Sequence, residues 1–220
     1  HEVLVTDSVS VNIFKLLVAS AQLSPKRPQI LSEAGNFHTD LHIASGAAEV
    51  MPNLRLDVLE RADLLDAFGP ETNTALLTHV HYKTAERFDM AAVTARATDA
   101  GARIVWDLSH SVGAVPLHLN QAGAELAVGC GYKYLNGGPG APAFAYVAER
   151  HHSALSQPLT GWMGHAKPFE FLDDYAPAPG TDRLLCGTPP ILALAALEVG
   201  VDLIAEIGVE RLFAKSQALS

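Results

Sequence analysis

Short apolar runs alternate along this chain with longer segments in which apolar residues recur every three or four positions. ARIVW at 102–106 is an example of the first kind, and SVNIFKLLVASAQL at 10–23 is an example of the second. This alternation is typical of parallel strands joined by helical crossovers. With 220 residues, 49% of them hydrophobic, the chain can bury the core that such a sheet needs. The sequence therefore predicts an α/β fold, a mainly parallel sheet with helices on both faces.

The same pattern locates individual elements. The predicted strands are 28–33, 74–82, 102–107, 125–130 and 141–148. The first helix is predicted over 10–23 with Ser8 or Ser10 as its N-cap, and Gly101 closes the helix in DMAAVTARATDAG. Further helices are expected after NFHTD, from Pro189 or Pro190 onward, and in the last twelve residues. No repeat or linker divides the chain, so one domain over 1–220 is expected, beginning in the approach to a helix rather than in a strand.

Charge and composition limit the classes of partner that the chain is expected to bind. The chain has 15 Lys and Arg against 24 Asp and Glu, a formal charge of -9 without a basic cluster, which argues against nucleic acid. No apolar run is long enough for a membrane span, and HEVLVTDSVS does not look like a secretory leader, so a cytoplasmic protein is expected. Cys130 and Cys186 predict small buried side chains in a reducing compartment. His79 and His81 share one strand face but lack further ligands, and no metal is predicted.

Lys133 lies in GYKYLNGGPG at 131–140, a strongly turn-forming stretch just after a predicted strand. Asp107 ends another predicted strand. Side chains at the carboxyl ends of parallel strands meet at one edge of the sheet, which is where such folds bind ligands. An acid and an amine there could form a simple ion pair. They could also be the pair that pyridoxal phosphate needs, an amine for its aldehyde and a carboxylate for its pyridine nitrogen.

Other residues fit either interpretation. Ser8 and Ser10 are ordinary N-caps or, with free backbone N–H groups, part of a phosphate site. Phe37 lies in a turn between a strand and a helix, where it could belong to the core or cover a planar cofactor. His110 follows Asp107 by three residues, so both could face one ligand.

Longer segments carry a specific resemblance. WDLSHSVGAVPL, GCGYKYLNGGPGAPAF, GWMGH and GTPPI occur in this order, and TDSVSVNIFKLL, LSEAGNFHTD and THVHYKT extend the likeness over nearly the whole chain. Together they resemble the kynureninases, which are fold-type-I pyridoxal phosphate enzymes. YKYLNGGPG and GWMGH are the most specific of these motifs, whereas DxxH is shared with cysteine desulfurases.

The resemblance assigns roles to three residues. It implies that Lys133 forms the Schiff base with the cofactor, that Asp107 pairs with the pyridine nitrogen, and that Tyr132 contacts phosphate and exchanges a proton at the substrate carbonyl. The other cofactor-binding positions that it implies are Val9 and Ser10 at the phosphate, Phe37 on the ring, His38, Thr39, Asp40, Thr78 and His110 in the pocket, and Trp162 and Thr188 across a dimer interface. His38 stands where the family usually has proline, and Thr188 replaces an asparagine of some members.

The resemblance also implies an activity. Kynureninases hydrolyse L-kynurenine or 3-hydroxykynurenine to an anthranilate and L-alanine, in tryptophan catabolism and NAD biosynthesis, as homodimers with a shared active site. Residues 1–220 would be the cofactor-binding large domain without an N-terminal segment and without the small C-terminal domain that carries the arginine for the substrate carboxylate. Arg183 is the nearest cation to GTPPI, and the 220 residues alone are expected to be inactive. The alternatives are another fold-type-I enzyme, such as a cysteine desulfurase or aminotransferase, and a non-catalytic scaffold.

Overall fold

Seven strands form one sheet in the computed structural model, which describes all of residues 1–220. The order across the sheet is β1-β7-β6-β5-β4-β2-β3. The five strands from β3 to β6 in this order pair in parallel, whereas β7 is antiparallel to both β6 and β1. The strands are β1 Val3–Val5, β2 Gln29–Glu33, β3 Arg55–Leu59, β4 Thr72–Thr78, β5 Arg103–Asp107, β6 Leu126–Cys130 and β7 Ala143–Val147.

Six α-helices and four 3-10 turns complete the chain. The helices are α1 Val9–Leu23, α2 His38–Val50, α3 Arg61–Leu64, α4 Met90–Asp99, α5 Ile191–Ile207 and α6 Val209–Leu219. The 3-10 turns are Glu149–His151, Trp162–Gly164, Pro168–Glu170 and Gly180–Leu184.

The core has two halves, one on each face of the sheet. Neighbouring residues of a strand point to opposite faces, so Val105 joins the half that contains Leu16 and Ala44 of α1 and α2. Trp106 joins the other half, together with Val93 of α4. The predicted mainly parallel sheet with helices on both faces is confirmed.

The five predicted strands are present, but two edge strands were not predicted. β1 has three residues, and β3 carries exposed residues at Arg55 and Val58, so neither reads as a buried apolar run. The expectation that the chain begins without a strand is wrong. The strand predicted over 74–82 ends at Thr78, because the chain then turns, with the amide of Ala85 donating to the carbonyl of His81.

Helix boundaries follow local capping. The Ser8 hydroxyl accepts a hydrogen bond from the amide of Val11 at 3.4 Å, so Ser8 is the N-cap of α1 and Ser10 lies in its first turn. Gly101 follows α4 with φ of +72°, a left-handed conformation that favours glycine, which confirms it as the helix terminator.

The ends of four strands and the start of α1 lie at the same edge of the sheet. β1 and β6 are both antiparallel to β7, so they run in the same direction. α1 therefore begins at the edge where β2, β4, β5 and β6 end. We call this the carboxyl edge of the sheet.

Candidate active site

Two buried carboxyl groups lie together at the carboxyl edge. Asp107, the last residue of β5, is 2% exposed and accepts hydrogen bonds at Oδ1 from the Ser109 amide at 2.9 Å and its hydroxyl at 2.6 Å. Asp40, in the first turn of α2, is hydrogen-bonded to Asp107. Burial, and then the adjacent Asp107, raise the pKa of Asp40 to about 8. Asp40 is therefore protonated at neutral pH and donates to Asp107.

A polar network holds Asp40 in place. The Thr78 hydroxyl, at the end of β4, lies 3.5 Å from Asp40 Oδ2 and donates to Asn36 Oδ1 at 2.5 Å. Asn36 Oδ1 also accepts from the Phe37 amide at 2.7 Å, so it fixes the turn that leads into α2. Asn36 was not predicted as a site residue, although its place in the GNF turn after a strand was a usable signal.

Lys133 follows β6 by three residues and is partly exposed. Its Nζ lies 5.7 Å from the centroid of the Phe37 ring and 5.7 Å from that of Tyr132. None of the eight ion pairs in the structure involves Lys133, so the simple ion pair with Asp107 is not formed. The amine stays available for another partner.

Aromatic rings line the space beside Lys133. The Phe37 ring contacts Tyr82 edge to face with centroids 5.3 Å apart, and Tyr82 stacks on His110 at 6.2 Å with 29° between the rings. Burial, and then the charge of Lys133, lower the pKa of His110. The buried Nδ1 of His110 has no hydrogen-bond partner. Tyr82 was not predicted, because THVHYKT was interpreted as a continuing strand.

Tyr132 and the first turns of two helices complete this edge. Tyr132 is 50% exposed, and burial of part of its ring followed by the neighbouring Cys130 raises the pKa of its phenol. Val9 and Ser10 occupy the first turn of α1, where backbone N–H groups lack intrahelical acceptors. His38 and Thr39 begin α2, and the His38 ring lies 4.5 Å from that of Phe37.

Trp162 and Thr188 are both exposed. Trp162 is 40% exposed and contacts Phe169 and Phe171, with centroids 5.8 and 6.2 Å apart, rather than the rings beside Lys133. Thr188 is exposed just before α5. Arg183 donates to the carbonyls of Ala178 and Leu155, each at 3.1 Å, so its guanidinium is occupied by backbone.

The histidine pair His79 and His81 and the two cysteines lie outside the set of residues predicted to bind the cofactor. His79 is buried edge-on to Trp106, with its pKa lowered to about 4 by burial, and it borders a cavity of about 570 Å³ that contains none of the predicted site residues. His81 accepts from the amides of Lys83 and Thr84. No group of three His, Cys, Asp or Glu side chains could hold a metal ion. Cys130 is buried as predicted, but Cys186 is partly exposed.

None of the helices is long and apolar enough to cross a membrane.

The donor set of the carboxyl edge fits pyridoxal phosphate. It offers an amine outside any ion pair at Lys133, a buried carboxylate at Asp107, an aromatic face at Phe37 and a helix N-terminus at Ser10. These match the aldehyde, pyridine nitrogen, ring and phosphate of that cofactor. The unpartnered Nδ1 of His110 is a further sign that this edge is completed by a ligand.

Residues 12–220 match the family model described as aminotransferase class-V, and the chain belongs to this family. Over its full length it is 48% identical to proteins named kynureninase from Deinococcus radiodurans and Burkholderia mallei. The chain spans about half the length of these curated relatives, 53% and 54% respectively.

Solved structures confirm the fold-type-I architecture. An apo cysteine desulfurase from Thermococcus onnurineus NA1 superposes with a TM-score of 0.81 at 21% identity, over 97% of this chain and 54% of that one. A C-DES mutant with glycine covalently linked to its PLP cofactor gives 0.83 at 18% identity, over 97% and 58%. At this identity the likeness concerns the fold alone.

Proposed function

We propose that the protein is a pyridoxal phosphate-dependent hydrolase that splits L-kynurenine or 3-hydroxykynurenine into anthranilate or 3-hydroxyanthranilate and L-alanine. The observation that carries the proposal is the 48% identity to kynureninases across all 220 residues. The geometry of the carboxyl edge supports it independently, because Asp107 ends β5 and Lys133 follows the neighbouring strand β6.

The chain's residues would divide the binding of the cofactor among them. When bound, pyridoxal phosphate supplies an aldehyde for the substrate amine and a ring that accepts electrons. Lys133 holds the aldehyde end, and the Phe37 ring, 5.7 Å from its Nζ, covers one face of the cofactor. Val9 and Ser10 direct first-turn amides of α1 toward the phosphate, where the helix dipole favours negative charge.

The two acids would keep a proton on the pyridine nitrogen. Asp107 is fixed by two hydrogen bonds from Ser109, so its charge is preorganised rather than assembled during the reaction. Asp40, with its pKa raised to about 8, adds little negative charge beside Asp107 at neutral pH. One buried charge is easier to hold than two and is sufficient to pair with one cation.

Lys133 and Tyr132 would move protons at the substrate. The Lys133 amine would take and return the α-proton of the substrate. Tyr132 has its phenol pKa raised further above neutrality, so it would be protonated and able to donate to the substrate carbonyl.

A homodimer completes the proposal. Trp162 and Thr188 are both exposed. We place them at the cofactor site of a second copy. The protein would act in tryptophan catabolism and NAD biosynthesis, in the cytoplasm.

The test is a substrate comparison with the full-length protein. Kynurenine, 3-hydroxykynurenine and cysteine are each incubated with it and pyridoxal phosphate, and anthranilates, alanine and released sulfur are quantified. We expect an anthranilate and alanine in equal amounts. Sulfur release from cysteine without any anthranilate would replace the proposal with a desulfurase. Turnover by residues 1–220 alone would contradict the expectation that a substrate-binding arginine from another part of the protein is required.

A further inference from the structure

Lys15 is a buried cation that the proposed reaction does not use. It lies in the middle of α1 and is 1% exposed, between the equally buried Ile13 and Leu16. Burial of an ammonium group is costly unless the charge is paired and hydrogen-bonded. An interior lysine therefore indicates a specific contact.

Two partners satisfy Lys15. Its Nζ donates to Asp7 Oδ2 at 2.6 Å and to the carbonyl of Leu184 at 2.5 Å. Asp7 belongs to the turn between β1 and α1, and Leu184 ends the 3-10 turn Gly180–Leu184. One side chain thus joins two segments that are 177 residues apart (184 less 7).

The turn at Asp7 depends on such contacts. Asp7 has φ of +48°, a left-handed conformation that is unfavourable for a residue other than glycine and persists where the surroundings hold it. Thr6 donates its hydroxyl to Asp7 Oδ2 at 3.0 Å, and the Asn12 side-chain amide donates to the Thr6 carbonyl at 2.9 Å. Lys15 and Asn12, both on α1, therefore fix the turn that starts their own helix.

The Asp7 segment leads to the proposed phosphate contacts, and the Leu184 segment leads to Thr188, which is proposed for the cofactor site of a second copy. Asp7 precedes Val9 by two residues, and Leu184 precedes Thr188 by four. We infer that Lys15 is a positioning residue for the phosphate end of the cofactor site, acting through the Asp7 turn on the first turn of α1. The inference rests on the proposed function, in which Val9 and Ser10 bind the phosphate.

Lys15 acts through other residues rather than on the cofactor. Its ammonium is buried and already shared between Asp7 and Leu184. Its loss would remove the side-chain contact that holds Asp7, whose backbone carbonyl still accepts from the amide of Ala143, and would leave the Leu184 carbonyl without that donor. Lys133, Asp107 and Phe37 would stay in place. The expected defect is therefore confined to the phosphate.

The experiment compares two ligands that differ only in the phosphate. Dissociation constants of pyridoxal phosphate and of pyridoxal are measured by absorbance for the full-length wild type, Lys15→Met and Asp7→Asn. We expect Lys15→Met to weaken pyridoxal phosphate by about tenfold, the equivalent of one charged hydrogen bond, and to leave pyridoxal within about twofold. Asp7→Asn, which changes a partly exposed residue and so risks the fold less, should show the same selective loss to a smaller extent.

Lys26→Met is the matched control, since Lys26 is exposed just beyond α1 and should change neither constant. Equal losses for both ligands, or no loss for either, in Lys15→Met would overturn the positioning role. If that variant does not fold, Asp7→Asn decides by the same two criteria. Tighter phosphate binding in Asp7→Asn would show that net charge governs the site, which also overturns it. A wild type that binds no pyridoxal phosphate would instead refute the proposed function itself.

Discussion

The carboxyl edge of the sheet and the segment from 160 to 190 differ in how completely their side chains are buried and bonded by contacts within the chain. At the carboxyl edge, Asp40, Thr78 and Asp107 are at most 2% exposed and are joined by hydrogen bonds. In the second region, Phe169 and Phe171 are 73% and 75% exposed and pack mainly on Trp162. The first region is preorganised by contacts within one chain, whereas the second presents exposed apolar side chains of the kind that mark interaction surfaces.

This contrast separates the effects that substitutions should have. Changes at the carboxyl edge should alter bond making or the charge on the cofactor while assembly is preserved. Changes in the segment from 160 to 190 should alter assembly and cofactor retention while the fold of the chain is preserved.

Replacement of Lys133 should have the largest effect. Lys133→Ala removes the amine that holds the aldehyde and carries the α-proton, so turnover of kynurenine should fall by at least about a thousandfold. The visible absorption band of the protein-bound cofactor should disappear. An unchanged band would show that another group holds the cofactor, and Lys26→Ala is the control at an exposed lysine.

Asp107→Asn should have the second-largest effect. The substitution keeps the shape of the side chain and removes its charge. Loss of one preorganised electrostatic group costs about 3 to 4 kcal/mol of barrier, so kcat should fall by about 10²- to 10³-fold. Cofactor attachment to Lys133 should persist, and sedimentation should show an unchanged dimer. Near-complete turnover in this variant would remove Asp107 from its assigned role; Asp66→Asn, at an exposed position, is the control.

The sequence predicted one half of this contrast better than the other. Asp107 ends one buried apolar strand and Lys133 follows the next, so topology alone places them on a common edge. Asn36 and Tyr82 were missed because their roles come from a turn after β2 and from the early end of β4 at Thr78, which tertiary contacts set. The exposure of Trp162 could not be predicted from the sequence, because an aromatic residue in a loop can either pack into the core or remain exposed.

Trp162→Ala tests the second region. An exposed side chain contributes little to the stability of its own chain, so the free energy of unfolding of residues 1–220 should change by less than about 0.5 kcal/mol. The proposed dimer of the full-length protein should weaken by about thirtyfold, the equivalent of about 2 kcal/mol for an aromatic interface anchor. Sedimentation over a concentration series measures this, with Leu65→Ala as a control at another exposed apolar position. A fully intact dimer, or a wild type that is monomeric with full cofactor affinity, would contradict the shared site.

The last prediction concerns the protonation of Asp40 in the cofactor-free protein. Because its pKa is raised from 3.8 to about 8, the folded state binds this proton more tightly than the unfolded state does. The resulting stabilisation is fully present below pH 3.8 and is lost as pH rises through about 8. Asp40→Asn mimics the protonated form at every pH. The free energy of unfolding of the wild type, from urea titrations at pH 5, 7 and 9, should therefore fall relative to that of Asp40→Asn as pH increases. Wild-type and variant curves that run parallel over this range would show that Asp40 is ionised in the folded protein. In that case the carboxyl edge would carry two buried charges, and its description as a region satisfied within one chain would fail.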